Sequence, residues 1–179
     1  MIEIYDDFCD DIGKRNAQAE QATYKDEDHL GETYHQIARL PDDRDDSLAK
    51  DINALLGTEW NHMAFLRRGH NPTGWVHADT SCGGYAGILF LNGSMGLSGT
   101  ATWLHHKYGA SSQGLNPSQI EEVNGDANDE GKWELSSVVH GRKNRLILYP
   151  ADTFHSVWPR EGRTDRLVEV IFMDDKQCK

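Results

Sequence analysis

The chain has 179 residues, 37% of them hydrophobic and 26% charged, which suits one globular domain with a single core and excludes a disordered chain. Eighteen basic residues against 29 acidic ones leave a formal net charge of −11, which argues against phosphate-backbone binding as the main task. Three widely spaced cysteines without a CxxC pair point to a reducing, cytoplasmic compartment, and no stretch approaches the roughly 20 apolar residues that would span a bilayer.

Ile2 to Tyr5 alternates like a short strand, and the acidic N-terminus has no signal-peptide character. Asp6 and Asp7 are placed to cap a helix carrying Phe8 and Ile12. Residues 25–46 hold two acidic clusters around Pro41 and read mostly as an exposed connection. Ser47 caps a second helix, with Leu48, Ile52, Leu55 and Leu56 at helical spacing, and Gly57 ends it. Short β-type runs then follow one another: WNHMAFLRR, WVHAD, YAGILFLN, TATWLHH, KWELSSVVH, RLILYP, TFHSVW and RLVEVIFM. Turn signals such as NPTG and PREGRTD separate many of them. An insertion over residues 107–131, rich in Gly, Ser, Asn and Asp, contains a helical turn at PSQIEEV and suits a lid or a mobile connection. Arg67–Arg68 and the run from Gly141 to Arg145 are too short for nucleic-acid patches and read as solvated loops. The layout is a single domain over 1–179, mainly β with N-terminal helices. Residues 1–57 form a strand and helical layer, and residues 58–174 form a jelly-roll or cupin-type core.

The segment WVHADT, Trp75 to Thr80, places His77 and Asp79 two residues apart. On an extended segment both point the same way, so they pair with each other or share a metal. His155, in YPADTFHSVWP, is the candidate third ligand on a later strand. Two histidines and one carboxylate on one face make the donor set of non-haem Fe(II) oxygenases, with coordination positions left for a bidentate co-substrate and dioxygen. Arg166 follows His155 by eleven residues and opens an apolar strand, where a cation is costly unless paired. Its fork suits a carboxylate.

On these residues the sequence resembles the 2-oxoglutarate/Fe(II)-dependent oxygenases, of the prolyl-4-hydroxylase-like branch. The match is His77-Ala78-Asp79, His155 and Arg166, with GILFLN and SGTATW similar to two further strands of that family. It covers residues 58–174 well and the first 57 loosely. The resemblance implies a double-stranded β-helix, with Fe(II) on His77, Asp79 and His155. It also implies 2-oxoglutarate chelating the metal while Arg166 holds its distal carboxylate, and O2 as the oxidant. The implied reaction hydroxylates a peptidyl (prolyl-type) or small-molecule substrate and releases succinate and CO2. A carboxylate at position 79 favours hydroxylation over halogenation. Arg166 stands one residue later than the commonest family spacing, with Arg163 nearby as a rival, and Val168 replaces a hydroxyl found in some branches. Tyr85 and Arg67 are further candidates for contacting 2-oxoglutarate, and Trp75 and Trp158 for lining a substrate pocket.

Blander readings stand beside these. His77 and Asp79 alone make a surface ion pair, His155 alone a satisfied core histidine, and Arg166 alone a strand-end cation. His105 and His106 are neighbours, so at most one faces a given site from a regular strand. Cys82 reads as a turn residue. The main rival function is a cupin-like metal-binding or ligand-binding module without redox chemistry. A nucleic-acid demethylase of the same fold is disfavoured by the acidic charge.

Overall fold

The computed structural model describes residues 2–29, 32–40, 47–57, 61–69, 74–80, 84–93, 98–160 and 165–174. In chain order it has strand β1 (Glu3–Asp6), helix α1 (Ile12–Gln21), β2 (Lys25–His29), β3 (Glu32–Arg39), α2 (Ser47–Leu56), β4 (Asn61–Arg68), β5 (Tyr85–Phe90) and β6 (Gly99–His105). After these come α3 (Pro117–Gly125), a 3-10 turn (Glu130–Lys132), β7 (Trp133–His140), β8 (Arg145–Pro150), β9 (His155–Trp158) and β10 (Leu167–Asp174).

The strands build two antiparallel sheets. The large one has the order β1-β8-β5-β10-β4-β3-β2, and the small one β7-β6-β9. Opposite β9, an isolated bridge joins His77 to His155 and adds the HxD segment to the small sheet's edge. The core of the large sheet, β4-β10-β5-β8, faces the segment at 77 followed by β9, β6 and β7. That layout is a double-stranded β-helix.

The large sheet is covered on both sides, which explains its apolar runs. On one face Leu66, Leu89, Leu146, Leu148, Leu167 and Ile171 pack under α1 and α2, against Ala19, Leu48 and Ile52. On the other, Ala86, Ile88, Phe90, Ile147, Tyr149, Val168 and Phe172 fill the space between the sheets. Two-residue alternation divides each strand between these layers. Burying a leucine fully is worth about 1.5–3 kcal/mol, so a shift in register by one residue would be heavily penalised.

Three regions depart from the sequence reading. Residues 25–46 are not only a connection, because β2 and β3 pair as a hairpin and extend the large sheet at one edge. KDEDH carries no apolar alternation, and a charged edge strand needs none. The first helix begins at Ile12 rather than after Asp7, whose φ of +54° breaks the chain direction there. WVHAD forms a bridge at His77 rather than a regular strand.

The second helix runs from Ser47, and Gly57 ends it at φ +64°. The insertion is ordered by a capping box at Asn116 and Gln119 on α3. It folds onto the outer face of the small sheet, where Val123, Trp133, Trp103, Phe154 and Val76 form a third apolar cluster. Ala127 accepts from Val76 N at 3.0 Å, and Phe154 N donates to Ala110 at 3.0 Å. The insertion therefore packs against the strands that carry the site.

Candidate metal centre

The HxD segment is held by main-chain bonds on both sides. His77 N donates to His155 O at 3.0 Å, His155 N to His77 O at 2.9 Å, and Asp79 N to Ala151 O at 2.6 Å. Gly74 allows the close approach. A Cβ there would stand 2.6 Å from Val157 Cγ1 and 3.1 Å from Arg160 O.

This brings His77, Asp79 and His155 together, with one ligand atom from each within 4.8 Å of the others. His77 Nε2 is 3.6 Å from Asp79 Oδ1, and His155 Nε2 is 3.2 Å from Asp79 Oδ2. The other ring nitrogens are engaged: His77 Nδ1 lies 3.2 Å from Trp75 O, and His155 Nδ1 lies 2.9 Å from Thr153 O. A carbonyl only accepts, so each Nδ1 carries a proton, which leaves the two Nε2 atoms facing Asp79 as the positions that would ligate a metal once free of a proton. The donor set, two imidazole nitrogens and one carboxylate, suits a divalent transition metal with open positions.

The charges are tightly coupled. Burial, then the neighbouring His155, pushes His77 down to about 4. Burial also presses on His155, but the charge and hydrogen bond of Asp79 outweigh it and raise its pKa. Burial would raise Asp79, yet the charge and hydrogen bond of His155 hold it below the ordinary carboxylate value. Without a metal, the proton shared by this group therefore rests on His155, against a carboxylate.

On the large sheet, Arg166 lies just before β10 and is 4% exposed. It shares the inward face with Val168, two residues on. Its guanidinium sits over the Phe90 ring at 5.3 Å, and its Nε has no hydrogen-bond partner among the described residues. Burial, then the positive charge of Arg67, pushes its pKa down to about 9. Tyr149 stands beside it. That ring is 4.7 Å from His155, and burial, then the charge of Asp79, raises the phenol well above its ordinary value. Tyr149 was hidden in the sequence inside RLILYP, where a tyrosine reads as core. Its position six residues before His155 was the available signal.

The remaining candidates separate. Arg67 faces inward on β4, opposite Val168. Trp75 lies 5.7 Å from His77, ring to ring, and meets Tyr34 edge-on at 6.0 Å. Tyr85 packs in the layer under the helices, on the face of β5 turned away from the metal ligands. Trp158 is three residues from His155 and so on the opposite face of β9, in the cluster behind the small sheet, 6.4 Å from Trp103. Arg163 and Cys82 lie outside the described residues. His105 is buried and pairs with Asp126 at 3.1 Å inside the insertion, away from the triad.

A cavity of about 160 Å³ opens onto Asp79, walled by Ile37, Phe65, Phe172 and Tyr34. The hairpin absent from the sequence reading supplies part of this wall, and Glu27 and Arg39 from it stand at the edge as an ion pair. Among the described residues, no helix is long and apolar enough to cross a membrane.

No protein-family model matches the chain, and no curated protein matches it in sequence. Solved structures do match along nearly its whole length. Apo HygX from Streptomyces hygroscopicus is similar at a TM-score of 0.62 and 10% identity, over 98% of this chain and 82% of that one. The non-haem α-ketoglutarate-dependent epimerase SnoN of nogalamycin biosynthesis is similar at 0.57 and 11%, over 97% and 77%. A Pseudomonas putida prolyl-4-hydroxylase is similar at 0.51 and 14%, over 98% and 92%. The fold is thus the double-stranded β-helix that these 2-oxoglutarate-dependent enzymes share.

Proposed function

We propose that the chain is an Fe(II)- and 2-oxoglutarate-dependent oxygenase, a hydroxylase acting on a small molecule or an exposed peptide segment. The observation that carries this reading is Arg166. It is a buried cation on the face of the metal triad, with no carboxylate paired to it among the described residues. Such a charge is costly unless something anionic joins it. A dicarboxylate that also chelates the metal meets both needs. Solved neighbours support the pairing: HygX has been seen with nickel, 2-oxoglutarate and hygromycin B, and SnoN with Fe3+, α-ketoglutarate and nogalamycin RO.

His77, Asp79 and His155 would hold the metal through two Nε2 atoms and a carboxylate oxygen. The metal and 2-oxoglutarate would supply the oxidising chemistry, coupling loss of CO2 from the 2-oxo acid to oxidation of a second substrate. The protein's own part is positioning. Trp75 and Thr153 fix the two imidazoles through their carbonyls, so the donors need no reorganisation when a metal binds. Arg166 and Tyr149 receive the distal carboxylate, and Phe90 and Val168 keep water from it. Ile37, Phe65 and Phe172 offer an apolar wall beside Asp79 for the substrate carbon that is oxidised. Tyr34 forms its aromatic side, with Trp75 packed edge-on against it. At about 160 Å³ the cavity takes a reacting segment rather than a whole large ligand.

The test is anaerobic absorption spectroscopy, adding Fe(II) and then 2-oxoglutarate. A weak visible charge-transfer band should appear and be lost in His155→Ala. Iron binding without any band would instead favour a metal-binding module that does no redox chemistry. His77→Ala and Asp79→Ala should each abolish iron-dependent succinate release while circular dichroism stays unchanged. Full activity in both would end the triad assignment.

A further inference from the structure

A second cavity, of about 490 Å³, opens between β6, β7, the turn over 150–153 and the insertion. Its place beside the metal centre follows from register. His77 bridges to His155, His155 faces Thr102 on β6, and Thr102 faces Ser137 on β7. Cross-strand partners share a face, so these side chains form one inward row. Thr102 and Ser137 end the row with a hydroxyl-to-hydroxyl bond of 2.7 Å, and both line the cavity. The apolar cavity opens onto Asp79, at the other end. In strand order His155 therefore stands between the two cavities.

The walls are built by local departures from regular structure. Neighbouring strand residues normally face opposite ways, yet Ser136 and Ser137 both line this cavity. Thr102 meets Ser137 and Trp103 meets Leu135, so Ser136 is the extra residue of a bulge. The insertion supplies the facing wall. Ser111 bridges to Thr153, Ser112 N donates to Asp152 O at 2.8 Å, and Gln113 N donates to Ser111 Oγ at 3.2 Å. Thr153 joins this wall to the metal centre, because its carbonyl also holds His155 Nδ1 at 2.9 Å.

The lining selects a ligand chemistry. Thr102, Ser136, Ser137, Gln113, Asp152 and Thr153 converge from three elements. Hydroxyls and an amide both donate and accept, as a ring of ligand hydroxyls requires. The Asp152 carboxylate makes no hydrogen bond or ion pair with another described residue. Among the described residues no cation lines the cavity, which disfavours a phosphate or a carboxylate ligand. The volume is in the range of small-molecule sites. We infer that this cavity binds a compact, uncharged polyhydroxylated group of glycosyl type, carried by the substrate. This rests on the oxygenase reading for the word substrate alone. The hydroxyl-rich group sits on the β6–β7 side of His155, and the carbon to be oxidised reaches the metal on the Asp79 side.

The experiment is saturation-transfer NMR with the methyl glycosides of glucose, galactose, mannose and N-acetylglucosamine, and with glucose 6-phosphate as the anionic counterpart. A neutral glycoside should receive transfer, and the phosphate should receive much less. Ser136→Phe puts a ring into the cavity from an exposed strand position and should abolish the transfer. Asp152→Asn keeps the shape, serves if the phenylalanine variant fails to fold, and should weaken binding about fivefold. Loading Mn(II) should broaden the bound sugar's proton lines in the wild type and not in Ser136→Phe. No transfer to any of the glycosides, or equal transfer in the wild type and both variants, would overturn the assignment and leave the oxygenase reading standing. Transfer that Mn(II) leaves sharp would overturn the link to the metal centre. Wild-type protein that takes up a glycoside but no Mn(II) would overturn the oxygenase reading instead.

Discussion

Two buried arginines lie against β10, one on each face, and they are buried to nearly the same degree. Arg15, on α1, is 6% exposed, and Arg166 is 4% exposed. Arg15 is met by carboxylates: Glu169 of β10 at 3.4 Å, itself 2% exposed, and Asp11 at 2.9 Å. Arg166 has an aromatic ring, a phenol and another arginine around it. Arg15 therefore ties the helix to the sheet, because its partner is inside the fold. Arg166 has a geometry that only something from outside completes. Burial alone marks neither role; the charge of the neighbours does.

That contrast can be broken by the stability of the two variants. Arg15→Ala leaves Glu169 buried without its cation and should cost about 3–5 kcal/mol in chemical denaturation. Arg166→Met removes a charge that had no anion and should leave the metal-free protein no less stable, while weakening 2-oxoglutarate about 10- to 100-fold in calorimetry. If both variants destabilise the free protein equally, Arg166 is structural and the contrast fails.

Tyr149→Phe sharpens the picture on a smaller scale. Loss of one neutral hydrogen bond should weaken 2-oxoglutarate about fivefold and leave metal affinity unchanged. An unchanged 2-oxoglutarate affinity would make Tyr149 a packing residue only.

The smallest effect is in protons. His155 carries a raised pKa against Asp79, and a metal needs its Nε2 lone pair, so loading should release a fraction of a proton near neutral pH. The sign follows: the His155–Asp79 pair stabilises the metal-free form below the ordinary histidine value and is lost as pH rises through the raised one. Metal affinity should rise over the same window. Titrations in buffers of different ionisation enthalpy measure this, and a buffer-independent heat would place the proton elsewhere.

Much of the site was legible because its signals are short-ranged or chemically costly. His77 and Asp79 share a face by two-residue alternation alone, and a cation opening the apolar strand after position 166 demands an explanation wherever that strand goes. Trp158, offered by the sequence reading as a pocket residue, was misplaced although the parity signal was available: three residues from His155, an odd spacing turns it to the other face. The β2–β3 hairpin was not legible. An edge strand as charged as Lys25–His29 owes its conformation to β3 and β4 beside it, not to any pattern of its own. The insertion gave a correct local signal at Pro117 but none for where it docks.

The sequence by itself determined the donor types, their order along the chain, and which neighbours share a face, because these depend on covalent spacing and side-chain chemistry. Only the tertiary structure decided that Tyr149 rather than Tyr85 stands against His155, that Arg67 shares the inner face with Arg166, and that a hairpin walls the cavity. Those facts depend on which strands pair and in what register. Register is set by burying two apolar layers at once, a property of the whole sheet and of no single strand.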